Sequence, residues 1–205
     1  GFAAYLHKKT GVPVDEMSVC VGHDSRISAE RIKNAIVRAL SSRGVRVLDC
    51  GLCSTPAMFT VCLDSDCTAS IQITASHHPY DKNGLKFFTR DGGFEGDEIS
   101  EVLANAEKEV PVGNIPSAVE KYNYMPIYCA RLRKLITDAL GEGTPLDGLH
   151  IVEDAGNGAG GFFASSVLAP LGADVSGSEF LEPDGMFPNH IPNPENETAM
   201  GFICR

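Results

Sequence analysis

No stretch of these 205 residues approaches the roughly 18 uninterrupted apolar positions that a membrane-spanning helix requires. Basic residues are scarce as well: 17 Lys and Arg stand against 27 Asp and Glu, a formal net charge of −10. That deficit excludes general binding to a nucleic-acid backbone, which needs clustered cations. It leaves small phosphorylated ligands open, because a few local cations and backbone N–H groups suffice for them. Residues 1–9 do not read as a secretory signal: the apolar stretch Phe2-Ala3-Ala4-Tyr5-Leu6 is short, and Lys8 and Lys9 follow it. There is no initiator Met, so residues upstream are expected. Neither an internal repeat nor a low-complexity tract is present. The seven Cys are odd in number and mostly lie within apolar segments. This predicts reduced, buried thiols and a cytoplasmic compartment.

What is present fits an ordinary globular chain, 43% hydrophobic and 21% charged, of a length suited to one or two domains. Strand-like and helix-like segments alternate. Met17–Gly22 reads as a strand, followed by a helix over Ala29–Ser42 capped by Ser28, with Ile32, Ala35, Ile36, Ala39 and Leu40 on one face. Val45–Cys50 is the next strand, and Thr55–Leu63 a helix with Pro56 in its first turn. Thr68–Thr74 and Leu85–Thr89 are strands, and Glu95–Glu109 a helix. This order predicts a mostly parallel sheet with one antiparallel strand. Two Pro, a Gly and an Asn between Val110 and Ser117 mark a linker. Beyond it come a helix over Pro126–Leu140, a strand over Leu149–Glu153, a Gly-rich turn, a helix to Leu171 and a strand near Ala173–Ser176. These elements are too few to close a sheet. Residues 182–197 carry four Pro and read as loop.

The densest chemistry lies in Thr74-Ala75-Ser76-His77-His78-Pro79-Tyr80-Asp81-Lys82-Asn83-Gly84-Leu85-Lys86. A hydroxyl, two imidazoles and two Lys follow a strand end, where ligands of α/β domains usually sit. Phosphoryl transfer needs an acceptor oxygen, a proton acceptor and cations around the moving group. The plain alternative is a polar surface loop with an ordinary Ser. Gly22-His23-Asp24-Ser25-Arg26 joins a strand to a helix; its Arg fork suits a bidentate phosphate contact, or else Asp24 and Ser28 merely organise a turn.

Thr-Ala-Ser-His-x-Pro followed by Asn-Gly-x-Lys resembles the phosphoserine loop of the phosphohexomutases, the family of phosphoglucomutases, phosphomannomutases and phosphoglucosamine enzymes. The Gly22–Arg26 turn is similar to that family's Gly-x-Asp-x-Arg turn. Asp154-Ala155-Gly156-Asn157-Gly158-Ala159-Gly160-Gly161 and the run from Asp184-Gly185-Met186-Phe187-Pro188-Asn189 to Pro194 resemble signatures of its second domain. The resemblance implies a three-layer α/β/α domain with a mixed, mostly parallel sheet over residues 1–115, then part of a second domain of the same type over 116–205. It implies hexose 1-phosphate/6-phosphate interconversion through a phosphoserine and a hexose 1,6-bisphosphate. Ser76 would be the carrier and a magnesium ligand through its phosphoryl oxygen, His77 and Lys86 its catalytic neighbours, and Arg26 and His78 contacts to phosphate or substrate. The family has Asn where His78 stands. No Asp-Gly-Asp-x-Asp-Arg metal loop occurs in the sequence, so an N-terminal fragment, inactive alone, is expected. Expected partners are hexose phosphates, with neither nucleic acid nor membrane.

Other readings compete. Gly156-x-Gly158-x-x-Gly161 has the dinucleotide-binding spacing, with Asp174 or Glu179 as the acidic partner. Cys50-Gly51-Leu52-Cys53 has that of a thiol-redox motif. A Ser hydrolase would lack the G-x-S-x-G elbow. A truncated mutase could also bind sugar phosphates or a partner without turnover.

Overall fold

The computed structural model describes residues 1–108 and 119–204. They fall into two compact units: Gly1–His23, Ser28–Ile73 and Leu85–Tyr122 make the first, and Asp24–Ile27, Thr74–Gly84 and Asn123–Arg205 the second. The expected linker over 110–117 and the division at 115/116 lie outside the described residues.

In the first unit, helix α1 (Phe2–Thr10) leads through a 3-10 turn to strand β1 (Ser18–His23). Helix α2 (Ala29–Ser41), strand β2 (Arg46–Leu52), helix α3 (Thr55–Asp64) and strand β3 (Ala69–Ile73) follow. Strands β4 (Leu85–Thr89) and β5 (Gly92–Gly93), helix α4 (Gly96–Glu107) and strand β6 (Val119–Lys121) complete the unit. The sheet runs β5-β4-β3-β1-β2-β6. β1 is parallel to β2 and β3, and β2 to β6, while β4 is antiparallel to β3 and to β5. The fold is therefore α/β with a mixed, mostly parallel sheet. All five residues of β3 are buried, as a central strand covered on both faces requires.

Alternation assigns the two faces. Val19, Val21, Val47, Ala69, Ile71 and Ile73 point to one side, where they pack with Phe2 and Leu6 of α1, Val37 and Leu40 of α2 and Val102 of α4. On the other face the Ser70 hydroxyl donates to the Met58 carbonyl, and the Gln72 amide donates to the Cys53 carbonyl at 2.8 Å, fastening α3. Three layers result. The start of α3 is set locally, since Ser54 Oγ accepts from the Ala57 N–H and Pro56 sits in the first turn.

The buried stripe of α2 differs from the expected one. Ala35 and Ala39 are exposed, whereas Lys33 and Val37 are buried. Lys33 turns inward because its ammonium meets Asp49 at 3.1 Å and Glu30 at 2.7 Å. Helix α1 was not anticipated, although Phe2, Tyr5 and Leu6 bury at helical spacing and Gly11 closes the helix at φ 74°.

The second unit contains helix α5 (Met125–Leu140) and, near its end, helix α6 (Glu197–Ile203). Its core joins Cys129 of α5 to Leu146, Val167, Leu168, Leu171 and Ala173. The strands expected at 149–153 and 173–176 reduce to two isolated parallel bridges, His150 with Asp174 and Asp154 with Glu179. The helix expected to end at Leu171 forms, but irregularly: Phe162 and Phe163 are α-helical, Ala164–Leu168 make a π-helical turn and Ala169–Leu171 a 3-10 turn. Gly158, Gly160 and Gly161 weaken helix formation before it, and Pro170 with Gly172 at φ 96° ends it. No helix among the described residues is long and apolar enough to cross a membrane.

Candidate active site

Residues 74–84 leave the carboxyl end of β3 and return at β4, and residues 24–27 leave the carboxyl end of β1. Both segments belong to the second unit, where they meet. The Thr74 N–H donates to the Gly84 carbonyl at 3.0 Å and closes the base of the long loop. Thr74 and Ala75 are buried; from Ser76 to Asn83 every residue is exposed. The change falls where a phosphate carrier would have to emerge.

Ser76 adopts φ 55°, in the left-handed region that L-residues rarely occupy. Its N–H donates to Thr74 Oγ1 at 2.9 Å, and its carbonyl accepts from Arg26 Nη2 at 3.0 Å. The residue is thus held through both flanking peptide groups, while its side chain stays exposed. The rings of His77 and His78 stack with centroids 4.9 Å apart. Lys86 is exposed on β4, in register with Gln72 of β3.

Arg26 is 2% exposed, and its environment departs from the expected phosphate contact. Nη1 donates to the carbonyls of Pro79 (2.5 Å) and Lys82 (3.1 Å). Nη2 donates to those of Ser76 (3.0 Å) and His78 (2.6 Å), and Nε to Asp24 Oδ2 at 3.1 Å. A guanidinium has five N–H donors, and all five are used within the protein. Arg26 therefore presents no donor to a phosphoryl group in this arrangement. Asp24 also takes the Arg26 backbone N–H at 3.1 Å, so the turn-forming alternative holds for Asp24. Ser28 precedes α2 without a side-chain capping bond.

Residues that sequence reasoning passed over complete the arrangement. Thr74 aligns Ser76, and the ring of Phe187 lies 5.2 Å from the Arg26 guanidinium carbon. The backbone of Gly185 is pressed so close to Ser25–Ile27 that a Cβ there would stand 2.3 Å from the Ser25 carbonyl oxygen. The run Asp184-Gly185-Met186-Phe187 was visible in the sequence, but nothing in its spacing pointed to Arg26.

The competing motifs find structural uses. A Cβ on Gly161 would lie 1.9 Å from the Leu181 carbonyl oxygen, so close packing explains that Gly. The Ala164 N–H, which opens the following helical turn, already donates to Glu153 Oε2 at 2.7 Å. Burial raises the Glu153 carboxyl above its ordinary range. The Gly156–Gly161 turn thus carries its own carboxylate where a dinucleotide phosphate would be cradled. Cys50 and Cys53 are buried, and Cys53 Sγ donates to the Cys50 carbonyl at 3.3 Å. Burial, then the neighbouring Cys50 and Asp49, push the Cys53 thiol well up, against the low value that thiol-redox chemistry needs.

Among the described residues, no three His, Cys, Asp or Glu side chains come together as a cation site. These residues do not by themselves fit the magnesium that the resemblance implies.

Residues 1–111 match the family model described as phosphoglucomutase/phosphomannomutase, alpha/beta/alpha domain I. A phosphoglucosamine mutase of Pediococcus pentosaceus is 33% identical over 193 residues, covering 89% of this chain and 40% of the relative. Another from Leuconostoc mesenteroides is 35% identical over 204 residues, covering 91% and 41%. A crystal structure of a phosphoglucomutase/phosphomannomutase family protein from Burkholderia thailandensis matches 99% of this chain and 45% of that one, at TM-score 0.72 and 27% identity. The chain spans about 40% of the length of the curated relatives it matches.

Proposed function

The chain belongs to the phosphoglucomutase/phosphomannomutase family, and we propose that the protein moves a phosphoryl group between the C1 and C6 oxygens of a hexose monophosphate, with Ser76 as the carrier. The observation that supports this reading is the setting of Ser76, an exposed side chain on a backbone gripped at both peptide groups. A carrier must offer its ester to a sugar arriving from solvent and still hold it steady. Serine suits the role, since its phosphate ester resists water yet transfers once its oxygens are neutralised.

In the first step the phosphorylated Ser76 ester breaks at the P–Oγ bond, and phosphorus bonds to a hydroxyl oxygen of the hexose monophosphate. The proton of that hydroxyl passes to the departing Ser76 Oγ, which is restored as a free hydroxyl, and the product is a hexose 1,6-bisphosphate. In the second step the other phosphoryl group returns to Ser76, and the isomeric monophosphate leaves. His77 and His78 are proposed as loop neighbours that contact substrate or exchange the proton. Lys86 is proposed to meet the reacting phosphate, on the strength of its place in the Asn83-Gly84-Leu85-Lys86 motif. The curated relatives cited are phosphoglucosamine mutases, so glucosamine phosphates are the first substrates to try. A cytoplasmic setting, small-molecule hexose phosphates as partners, and hexose 1,6-bisphosphate as activator belong to the same proposal.

Intact mass and phosphopeptide mapping of the full-length gene product test it. Phosphate is expected on Ser76, and Ser76→Ala should abolish it and lower turnover by about 10⁴-fold or more, as loss of other covalent carriers does. Turnover that survives Ser76→Ala would overturn the assignment. An unmodified Ser76 in a protein that binds sugar phosphates without turnover would support the non-catalytic alternative.

A further inference from the structure

We infer that Arg26 is a positioning residue: it sets the conformation of the Ser76 loop through four backbone carbonyls and touches no phosphate. This rests on the reading of Ser76 as carrier and adds the device that aims it. A guanidinium stays charged when buried, so its placement demands compensation from every side. Asp24 supplies the countercharge at 3.1 Å. The carbonyls of Ser76, His78, Pro79 and Lys82 supply the dipoles, and the face of Phe187 supplies its quadrupole at 5.2 Å.

The consequence falls on one residue. Ser76 holds φ 55°, a conformation that persists only where the surroundings impose it. Thr74 Oγ1 fixes the peptide before it and Arg26 Nη2 the peptide after it, at 2.9 and 3.0 Å. With both peptide planes set, the Cα–Cβ bond of Ser76 has a single direction. The turn at Asp184–Phe187 serves the same end from further along the chain, since Gly185 packs on Ser25–Ile27 and Phe187 lies against the guanidinium. A residue type suited to binding phosphate is used here to place the residue that carries it. Lysine cannot substitute, because a single ammonium has three donors and no planar fork to span four carbonyls.

The test uses the full-length protein with Arg26→Lys and Phe187→Leu, read by steady-state kinetics and by amide hydrogen exchange. A misaimed carrier should lower kcat about 100-fold in Arg26→Lys, with KM for the sugar phosphate little changed. Exchange at residues 76–82 should quicken while β1 and β3 keep their protection. Phe187→Leu, which leaves every hydrogen bond of Arg26 in place, should move both readouts the same way by a smaller factor. A raised KM with unchanged kcat, or wild-type kcat in Arg26→Lys, would show a phosphate contact or no role and overturn the inference. If Arg26→Lys fails to fold, Phe187→Leu decides: wild-type kcat with wild-type exchange in 76–82 sinks the proposal. Should the wild-type protein show no mutase turnover, the exchange readout still judges the grip separately from the proposed function.

Discussion

Replacing Gly185 by Ala should loosen the second unit. A Cβ at this position would lie 2.3 Å from the Ser25 carbonyl oxygen, 2.6 Å from the Ile27 nitrogen and 2.8 Å from the Arg26 Cα. All three neighbours are backbone atoms, so no rotamer change makes room. Ordinary contact begins near 3.5 Å, and the two segments would have to part by about 1 Å. Overpacking of this kind costs about 1–3 kcal/mol, and a backbone obstacle places Gly185→Ala in the upper half of that range. Gly201 is the internal control: it lies within α6, and a Cβ there would meet nothing within 4 Å. Ala at 201 should stabilise by about 0.5–1 kcal/mol, the usual gain on removing a helical glycine. The chain has no Trp, so urea unfolding is best followed by far-ultraviolet circular dichroism. With a slope of about 2 kcal/mol per molar urea, the midpoint should fall by about 1–1.5 M for Gly185→Ala and rise by about 0.25–0.5 M for Gly201→Ala. If two transitions resolve, the shifts belong to the unit containing residues 123–204. A Gly185→Ala protein that unfolds at the wild-type midpoint would refute the close approach and weaken the case for Phe187 and Gly185 as supports of Arg26.

In the first unit, Lys33→Met should cost about 3 kcal/mol, because it strands the buried Asp49 carboxylate with only the exposed Lys121 (2.7 Å) and the Gly51 N–H (2.9 Å). Adding Asp49→Leu should recover most of that loss in the same urea assay; an additive pair would disprove the coupling. Burial alone would raise the Asp49 carboxyl, but the bonds from Lys121, Gly51 and Lys33 outweigh it and hold it below its ordinary value. Its contribution is therefore present above about pH 4 and lost as pH falls through the folded value. Glu98 acts in the same direction: Lys9 first, then the Tyr5 hydroxyl and the Glu95 N–H, hold its carboxyl down at about 2. Stabilisation by Glu98 should fade between about pH 4.5 and 2, and Glu98→Gln should flatten that acid limb of the midpoint–pH curve. High salt should shrink this difference, since the carboxylate is only partly buried.

Much of the fold is legible in the sequence because its signals are local. Alternating apolar runs marked β1 to β4, and Pro56 in its first turn marked the start of α3. The Ser76 loop stood out by residue type, since no tight turn needs two His and two Lys. Strands at 149–153 and 173–176 were read from the same kind of apolar run, yet only single bridges form. A strand becomes regular when a neighbour supplies a ladder, and that partner is not a property of the segment itself. Lys33 on the buried side of α2 was unreadable for a like reason, because the countercharge that draws it in is Asp49 on β2. Arg26 shows the division most plainly. Its charge and its turn are local facts, and they suggested a phosphate ligand. Only the tertiary structure brings the carbonyls of residues 76, 78, 79 and 82 within reach of one fork and exhausts its donors. Sequence by itself determined which residues could do chemistry and where the chain would turn. Which of them face a ligand, and which spend their hydrogen bonds holding the others in place, was decided by contacts between separate segments, 50 to 56 residues apart at Arg26, because a buried donor takes whatever acceptor the packing brings to it.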